Sequence, residues 1–117
     1  MNLHEYQAKE LFREYGIPVS NGVAVNSSLD IKKAIEALEG DRWVVKAQVH
    51  AGGRGKAGGI KILNNLDDLA KESSNMLGKF LKTHQTGPEG REVRRLYIEE
   101  ATEIDKEFYL SCLIDRA

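Results

Sequence analysis

Hydrophobic and polar positions alternate along the chain with two periods, that of an α-helix and that of a β-strand. Helical spacing of apolar residues predicts three amphipathic helices, over residues 3–15, 27–38 and 66–77. Gly16 is a natural stop for the first helix, and Pro18 prevents its continuation. Ser27 or Ser28 supplies a side chain that caps the second.

Short β-rich runs separate these helices. They predict strands over residues 22–26, 43–49, 59–63, 93–99 and 108–114, while residues 86–92 (TGPEGRE) predict a turn or loop. Interleaved elements of this kind indicate an α/β (α+β) fold, a mixed sheet with packed helices. The chain ends directly after the last predicted strand, which would still need a partner. We therefore expect a fragment, truncated before its fold is complete.

Composition narrows the possible functions. The 117 residues suit one domain, with 41% hydrophobic and 30% charged residues, an ordinary soluble composition. A net charge of -1 gives no global attraction to nucleic acid or to anionic lipid, so any phosphate binding is local. The N-terminus lacks the apolar core of a signal peptide, and no run is long enough to span a bilayer. We expect neither a nucleic-acid nor a membrane partner.

The stretch from Val44 to Gly59, VVKAQVHAGGRGKAGG, is the most informative part of the chain. Its five glycines, between Gly52 and Gly59, permit a loop whose successive N–H groups bind anions. Arg54 and Lys56 add positive charge. The alternative interpretation is a mobile hairpin connection between the two flanking strands.

The spacing excludes two common phosphate motifs. A Walker A loop has a glycine five residues before the Gly55-Lys56 pair and Ser or Thr after it, whereas His50 and Ala57 stand at these positions. A dinucleotide fingerprint would be followed by a helix, and no helical pattern follows these glycines. An RNA-binding arginine–glycine segment stays open as an alternative, with a single Gly-Gly-Arg-Gly in its favour.

Charged residues in and beside the strands are further candidates. Lys46 lies within an apolar predicted strand, where an ammonium group needs an anionic partner. It either meets a ligand or points from the polar face that it shares with Val44 and Gln48. Glu99 ends one predicted strand and Glu107 begins the next. Such carboxylates accept hydrogen bonds from a ribose or an adenine amino group, or they are solvated acids at a turn.

Histidine and cysteine point to no further chemistry. His4, His50 and His84 lie too far apart in the sequence to give metal-ligand spacing. Cys112 is the single cysteine, so an intrachain disulfide is impossible. Its place in a predicted strand favours a buried structural thiol over a nucleophile.

Three segments together resemble the β subunits of the succinyl-CoA synthetase (succinate–CoA ligase) family, within the ATP-grasp superfamily. They are NLHEYQAKELFREYGIPV, WVVKAQVHAGGRGKAGG and EEATEIDKEFYL. The resemblance covers the whole chain and is least diagnostic over residues 64–94. It implies a partial ATP-grasp domain over residues 1–117. Residues from about 21 to 98 would form the first nucleotide lobe, and residues 1–20 and 99–117 would belong to the second.

The resemblance also implies which residues meet the phosphates of a nucleotide. Lys46 corresponds to the lysine that reaches them. Gly53, Arg54 and Gly55 correspond to the loop that closes over them. These roles agree with the chemistry already inferred from the positive, glycine-rich loop.

Three further positions are implied at the base and sugar. Glu99 and Thr102 fall in the hinge that meets the base, and Glu107 matches a carboxylate that contacts the nucleotide. No catalytic or metal-binding residue is assigned within the chain. The Mg²⁺ ligands are expected beyond residue 117, and the phosphohistidine of the family is carried by the α subunit.

The implied reaction converts succinate, CoA and ATP or GTP, with Mg²⁺, to succinyl-CoA, the nucleoside diphosphate and phosphate, a step of the citric acid (tricarboxylic acid) cycle. An α subunit is the implied partner. The cytoplasm is the expected location, or the mitochondrial matrix for an organellar homologue. The 117 residues alone are expected to be inactive.

Several alternatives stay open. Two are related enzymes, a malate–CoA ligase β subunit and a relative of ATP-citrate lyase. Two others are not enzymes, a nucleotide- or RNA-binding module built on the glycine loop and an assembly module whose sheet edge docks an α subunit.

Overall fold

The structure, a computed structural model, describes residues 2–116. Three helices and six strands are present in this part of the chain. No helix in these residues is long and apolar enough to cross a membrane. In chain order the elements are α1 (Glu5–Glu14), β1 (Gly22–Val25), α2 (Ser28–Ala37), β2 (Trp43–Ala47), β3 (Ile60–Leu63), α3 (Leu66–Met76), β4 (Phe80–Leu81), β5 (Arg91–Glu92) and β6 (Leu96–Glu100).

The main sheet has four strands in the order β1-β6-β2-β3, and each of its neighbouring pairs is antiparallel. The predicted α/β class is confirmed, but the prediction of a mixed sheet is wrong for the described strands. β1 and β2 do run parallel to each other, as their connection through α2 suggests. The last strand, β6, inserts between them and pairs antiparallel with both, so no parallel pair forms.

One face of this sheet forms the apolar core with α2 and α3. Ser27 and Asn65 cap the two helices, each accepting a hydrogen bond from the backbone N–H of the third residue after it. Full burial of a large aliphatic side chain contributes about 1.5–3 kcal/mol. Buried residues of this core include Val25, Val45, Leu96 and Ile98 from the strands and Ile31, Ala34, Leu69 and Met76 from the helices.

The opposite face of the sheet carries α1, which packs differently from the prediction. The prediction is an amphipathic helix, which would ordinarily pack through its apolar side. None of its residues is buried, however, and Leu11, Phe12 and Tyr15 are exposed. The helix instead turns a polar stripe toward the sheet. The strand face below has little space at Gly22, where a Cβ atom would overlap the ring of Tyr97.

The later part of the chain departs most from prediction. The predicted strand over residues 108–114 does not form. Among the described residues no strand lies beside this segment to pair with it, and its side chains are exposed. Cys112 is therefore exposed rather than buried. β5 pairs antiparallel with β4, a two-residue strand that the sequence did not suggest, so residues 86–92 are only partly loop.

Candidate nucleotide site

The glycine-rich segment folds into a compact turn between β2 and β3. Ala57 N–H donates to the carbonyl of Gly53, which closes a single helical turn. Gly59 N–H then bonds to the carbonyl of Arg54 and Gly58 N–H to that of Gly55, the hydrogen-bond pattern of a Schellman motif. Gly58 has the positive φ, 77°, that this motif requires at its left-handed position. The segment is thus an ordered turn and not an irregular loop.

This turn leaves polar backbone groups available. Among residues 2–116, the N–H groups of residues 53–56 find no hydrogen-bond acceptor. Residues 51–56 line a depression of about 500 Å³ together with Ile60 and His84. Unpaired successive N–H groups beside a basic side chain form the kind of concave surface that binds anions.

Five charged side chains form an alternating row across the sheet face below α1. Glu5 of α1 accepts from Lys46 Nζ at 2.9 Å through Oε1 and from Arg54 Nη2 at 2.9 Å through Oε2. Glu99 bridges in the same way between Lys46 and Lys9. We call Arg54, Glu5, Lys46, Glu99 and Lys9 the charged row. It contains three cations and two carboxylates.

The row keeps Glu5 and Lys46 ionised. Burial acts to raise the pKa of Glu5, but the hydrogen bonds and charges of Lys46 and Arg54 overcome it and lower that pKa to about 2. Burial acts to lower the pKa of Lys46, and Glu99 and Glu5 reverse this, so that the pKa is raised above its ordinary value. At neutral pH both groups are charged.

Local contacts position α1 so that the row can form. Glu5, Lys9 and Arg13 are spaced four residues apart, and residues at this spacing lie along one face of a helix. The buried side chain of Gln48 accepts from the backbone N–H of Tyr6 at 3.2 Å and so ties the start of α1 to the end of β2. Arg13 donates to the carbonyl of Ser20 at 2.9 Å, which holds the other end.

The structure brings most of the predicted site residues together. Lys46 and Glu99 lie on the same face of neighbouring strands, and Arg54 reaches Lys46 through Glu5. Gly53 and Gly55 flank Arg54 in the compact turn.

Two predicted residues lie apart from the row. Thr102 forms a hydrogen bond with the hydroxyl of Ser20 at 2.7 Å. Glu107 is exposed and, among residues 2–116, makes no hydrogen bond or ion pair. Their roles stay predictions.

Sequence reasoning missed Glu5, Lys9 and Gln48. The pattern of residues 3–15 predicts an amphipathic helix but assigns no partner to Glu5 or Lys9. The sequence did contain a signal for Glu5 and Lys9. Charged residues recur every four positions on α1, and Lys46 and Glu99 on the predicted strands needed partners of opposite charge. The sequence places Gln48 on the polar face of its strand and does not indicate its contact with α1.

The histidines are also arranged unexpectedly. The rings of His4 and His50 stack with their centres 3.9 Å apart, although the two are distant in the sequence. Burial and the neighbouring His50 lower the pKa of His4. Among residues 2–116 no group of three or more histidine, cysteine, aspartate or glutamate side chains is arranged to hold a metal ion.

Comparison with known proteins agrees with this architecture. The family model described as ATP-grasp domain matches residues 2–117, and the chain therefore belongs to the ATP-grasp family. It is 54% identical over 117 residues to the succinate–CoA ligase (ADP-forming) subunit beta of Nitratiruptor sp.. It is 56% identical to the protein of the same name from Pelagibacter ubique. In both comparisons all of this chain is covered but only 30% of the relative.

A solved structure supports the fold independently. The D-alanyl-alanine synthetase A of Vibrio cholerae superposes with a TM-score of 0.59 over 87% of this chain and 26% of that one, at 15% sequence identity. At this identity the likeness concerns the fold alone. The predicted partial ATP-grasp fold is confirmed.

Proposed function

We propose that this chain is the nucleotide-binding portion of a succinate–CoA ligase β subunit. One observation carries the proposal. Lys46 from β2 and Arg54 from the glycine turn converge on the two oxygens of a single carboxylate, at 2.9 Å each. Two cations spaced to hold two oxygens of one anionic group suit the phosphates of a nucleotide. The identity with succinate–CoA ligase β subunits, which spans all of this chain and 30% of each relative, supports the same conclusion.

The remaining residues would surround the nucleotide on either side of these cations. The turn from Gly53 to Gly55 would donate backbone N–H groups to the phosphates. Glu99 and Thr102 would lie in the hinge that meets the base, and Glu107 would contact the nucleotide. Through its ion pair, Glu99 would also keep Lys46 in position. The roles of Thr102 and Glu107 require the segment after β6 to approach the row when the nucleotide binds.

Mg²⁺ would enter with the nucleotide. The carboxylates of the charged row are already paired with lysine and arginine, and residues 2–116 offer no cluster suited to a metal. The residues present therefore fit phosphate oxygens and not the metal itself, whose protein ligands we place outside this chain.

The complete enzyme would convert succinate, CoA and ATP or GTP to succinyl-CoA, the nucleoside diphosphate and phosphate. An α subunit would carry the phosphorylated histidine, and none of His4, His50 and His84 is assigned to that role. The location would be the cytoplasm, or the mitochondrial matrix for an organellar enzyme. A chain that holds only nucleotide would not turn over substrate, so the pure 117-residue protein is expected to be inactive.

Titration of the chain with MgADP, followed by amide NMR, tests the nucleotide site. Shifts are expected at Lys46, in the turn from Gly53 to Gly55, and between Glu99 and Glu107. They should be lost in Lys46→Ala and kept in Lys61→Ala. Lys61 is a suitable control because it lies on the neighbouring edge strand and pairs with Glu72 instead of the row.

A negative result has a defined next step. If a well-folded spectrum shows no shifts, the titration is repeated on a complete β subunit that contains this sequence. Binding there that depends on Lys46 would mean that the second lobe is needed for affinity. No binding in either protein, or binding that Lys46→Ala leaves intact, would refute the proposed site. Binding of single-stranded RNA in place of MgADP, weakening steeply with salt, would favour the non-catalytic alternative.

A further inference from the structure

Glu5 occupies the position that the proposed function gives to the nucleotide phosphates. Each of its oxygens accepts from one of the two cations assigned to phosphate binding, Lys46 and Arg54. Arg54 uses its other terminal nitrogen to donate to the carbonyl of Ala47 at 2.8 Å. Lys46 has Glu99 as its second partner. The side-chain donors assigned to the phosphates are therefore already engaged, while within residues 2–116 the backbone N–H groups of residues 53–56 are not.

We propose that Glu5 is a built-in competitor of the nucleotide, a carboxylate that holds the phosphate-binding cations and must leave them when a nucleotide binds. This inference rests on the proposed function, because it assumes that Lys46 and Arg54 are the phosphate ligands. It adds a role for α1, which becomes the element that moves during binding.

Electrostatics supports displacement over joint binding. The charged row has three cations and two carboxylates, so a single net positive charge is available. A nucleotide phosphate chain brings several negative charges, and a carboxylate left between the same two cations would repel it. When Glu5 leaves, the net charge of the row rises from +1 to +2, and the attraction for a phosphate group increases.

Protonation does not release Glu5 under ordinary conditions. Its pKa of about 2 keeps the carboxylate charged throughout the neutral range. Release therefore requires a competing anion and is not a response to mild acid. Glu99 stays bound to Lys46 and Lys9 during the exchange, so Lys46 keeps its position on the strand.

The packing of α1 suits a mobile element. None of its residues is buried, and its attachments to the sheet are polar contacts such as those of Gln48 and Arg13. Moving this helix would uncover the ring of Tyr97, which is 2% exposed and touches Lys9 and Arg13, but it would leave the aliphatic core intact. The hydrophobic penalty is therefore smaller than for a helix of the apolar face. Detachment of α2 or α3 would instead open the apolar core.

The test compares MgADP affinity between matched variants, on whichever form of the protein, chain or complete β subunit, binds MgADP in the preceding experiment. If Glu5 occupies the cations in most molecules, only the remaining fraction can bind MgADP, and the apparent Kd rises in inverse proportion to that fraction. Glu5→Gln removes the competing carboxylate, so the whole population can bind. We expect the Kd to fall about 3- to 10-fold in Glu5→Gln. Glu10→Gln removes the same charge from an exposed position of α1 and is expected to leave the Kd within about twofold.

A second readout uses the unaltered protein and so does not depend on how the variant folds. The pKa of the Glu5 carboxyl, followed by its ¹³C chemical shift, should rise from about 2 toward its ordinary value of 4.5 when MgADP saturates the site. Equal or weaker MgADP binding by Glu5→Gln, or a Glu5 pKa that stays near 2 in the complex, would overturn the competitor role. If no form binds MgADP, the proposed function itself fails and this inference fails with it.

Discussion

The two faces of the four-stranded sheet are covered by helices in opposite ways. α2 and α3 lie on one face and pack aliphatic side chains against Val45 and Ile98, which are fully buried. α1 lies on the other face, buries none of its own residues, and meets the strands through the charged row. One sheet thus has an apolar face that stabilises the fold and a charged face that holds the candidate site.

The alternation of side chains along a strand allows this division of roles. In β2 the side chains of Val45 and Ala47 point to the apolar face, whereas Val44 and Lys46 point to the charged one. Two functions can therefore be encoded within five consecutive residues. The comparison teaches that apolar burial sets stability on one side, while polar contacts hold the helix on the other, where the proposed exchange of ligands would take place.

The largest expected loss of stability comes from shortening a buried side chain on the apolar face. Ile98→Ala removes a fully buried side chain from the central strand β6, and it should lower the free energy of unfolding by about 2–5 kcal/mol. Urea denaturation of the chain, followed by circular dichroism, measures this loss.

Ile62→Ala is the matched control for that prediction. Ile62 pairs with Val44 and so lies on the charged face, at the sheet edge, where it is 65% exposed. The same substitution there should change the free energy of unfolding by about 0.5 kcal/mol or less. Similar losses in both variants would mean that the two faces do not differ as stability determinants.

The apolar face was also the part that the sequence predicted well. The helical pattern behind Ser27 and the one beginning at Leu66 gave α2 and α3 almost to the residue, because periodicity reports directly on burial against a sheet. Lys46 and Arg54 were identified because a cation in a strand and a glycine-rich turn are unusual locally. These signals lie within single elements.

The charged face was predicted less well, because its contacts join residues distant in sequence. Periodicity predicted that α1 is amphipathic, but it did not show that the charged side of this helix meets Lys46 and Glu99 while Leu11 and Phe12 are exposed. The strand predicted near Phe108 failed for a related reason. β-propensity describes a residue that fits a sheet, and it supplies no neighbouring strand.

An intermediate effect is expected on the charged face, and it depends on pH. The folded-state pKa of Glu5 is lowered from 4.5 to about 2. A lowered carboxyl pKa stabilises the fold above the unfolded value and loses this contribution as pH falls from 4.5 toward 2. Allowing for solvent screening of a partly exposed group, Glu5→Gln should cost about 1–2 kcal/mol at neutral pH.

The pH dependence separates this effect from a packing defect. The difference in free energy of unfolding between the unaltered chain and Glu5→Gln should narrow as the pH is lowered below 4.5. Urea titrations at a series of pH values measure it, with Glu10→Gln as a control that shows little difference at any pH. If the difference in free energy of unfolding stays constant as the pH falls from 4.5 toward 2, Glu5 does not stabilise the fold through charge pairing.

The smallest effect is expected for an ion pair at the rim of the apolar face. Lys61 Nζ lies 3.5 Å from Glu72 of α3, with side chains 48% and 30% exposed. Water screens such a pair, so Glu72→Gln should lower the free energy of unfolding by about 0.5 kcal/mol or less, and added salt should reduce even that. A loss as large as that of Glu5→Gln at neutral pH would break the comparison, because a single exposed contact would then match a carboxylate held by two cations. The same urea titrations, at low and high salt, decide between these outcomes.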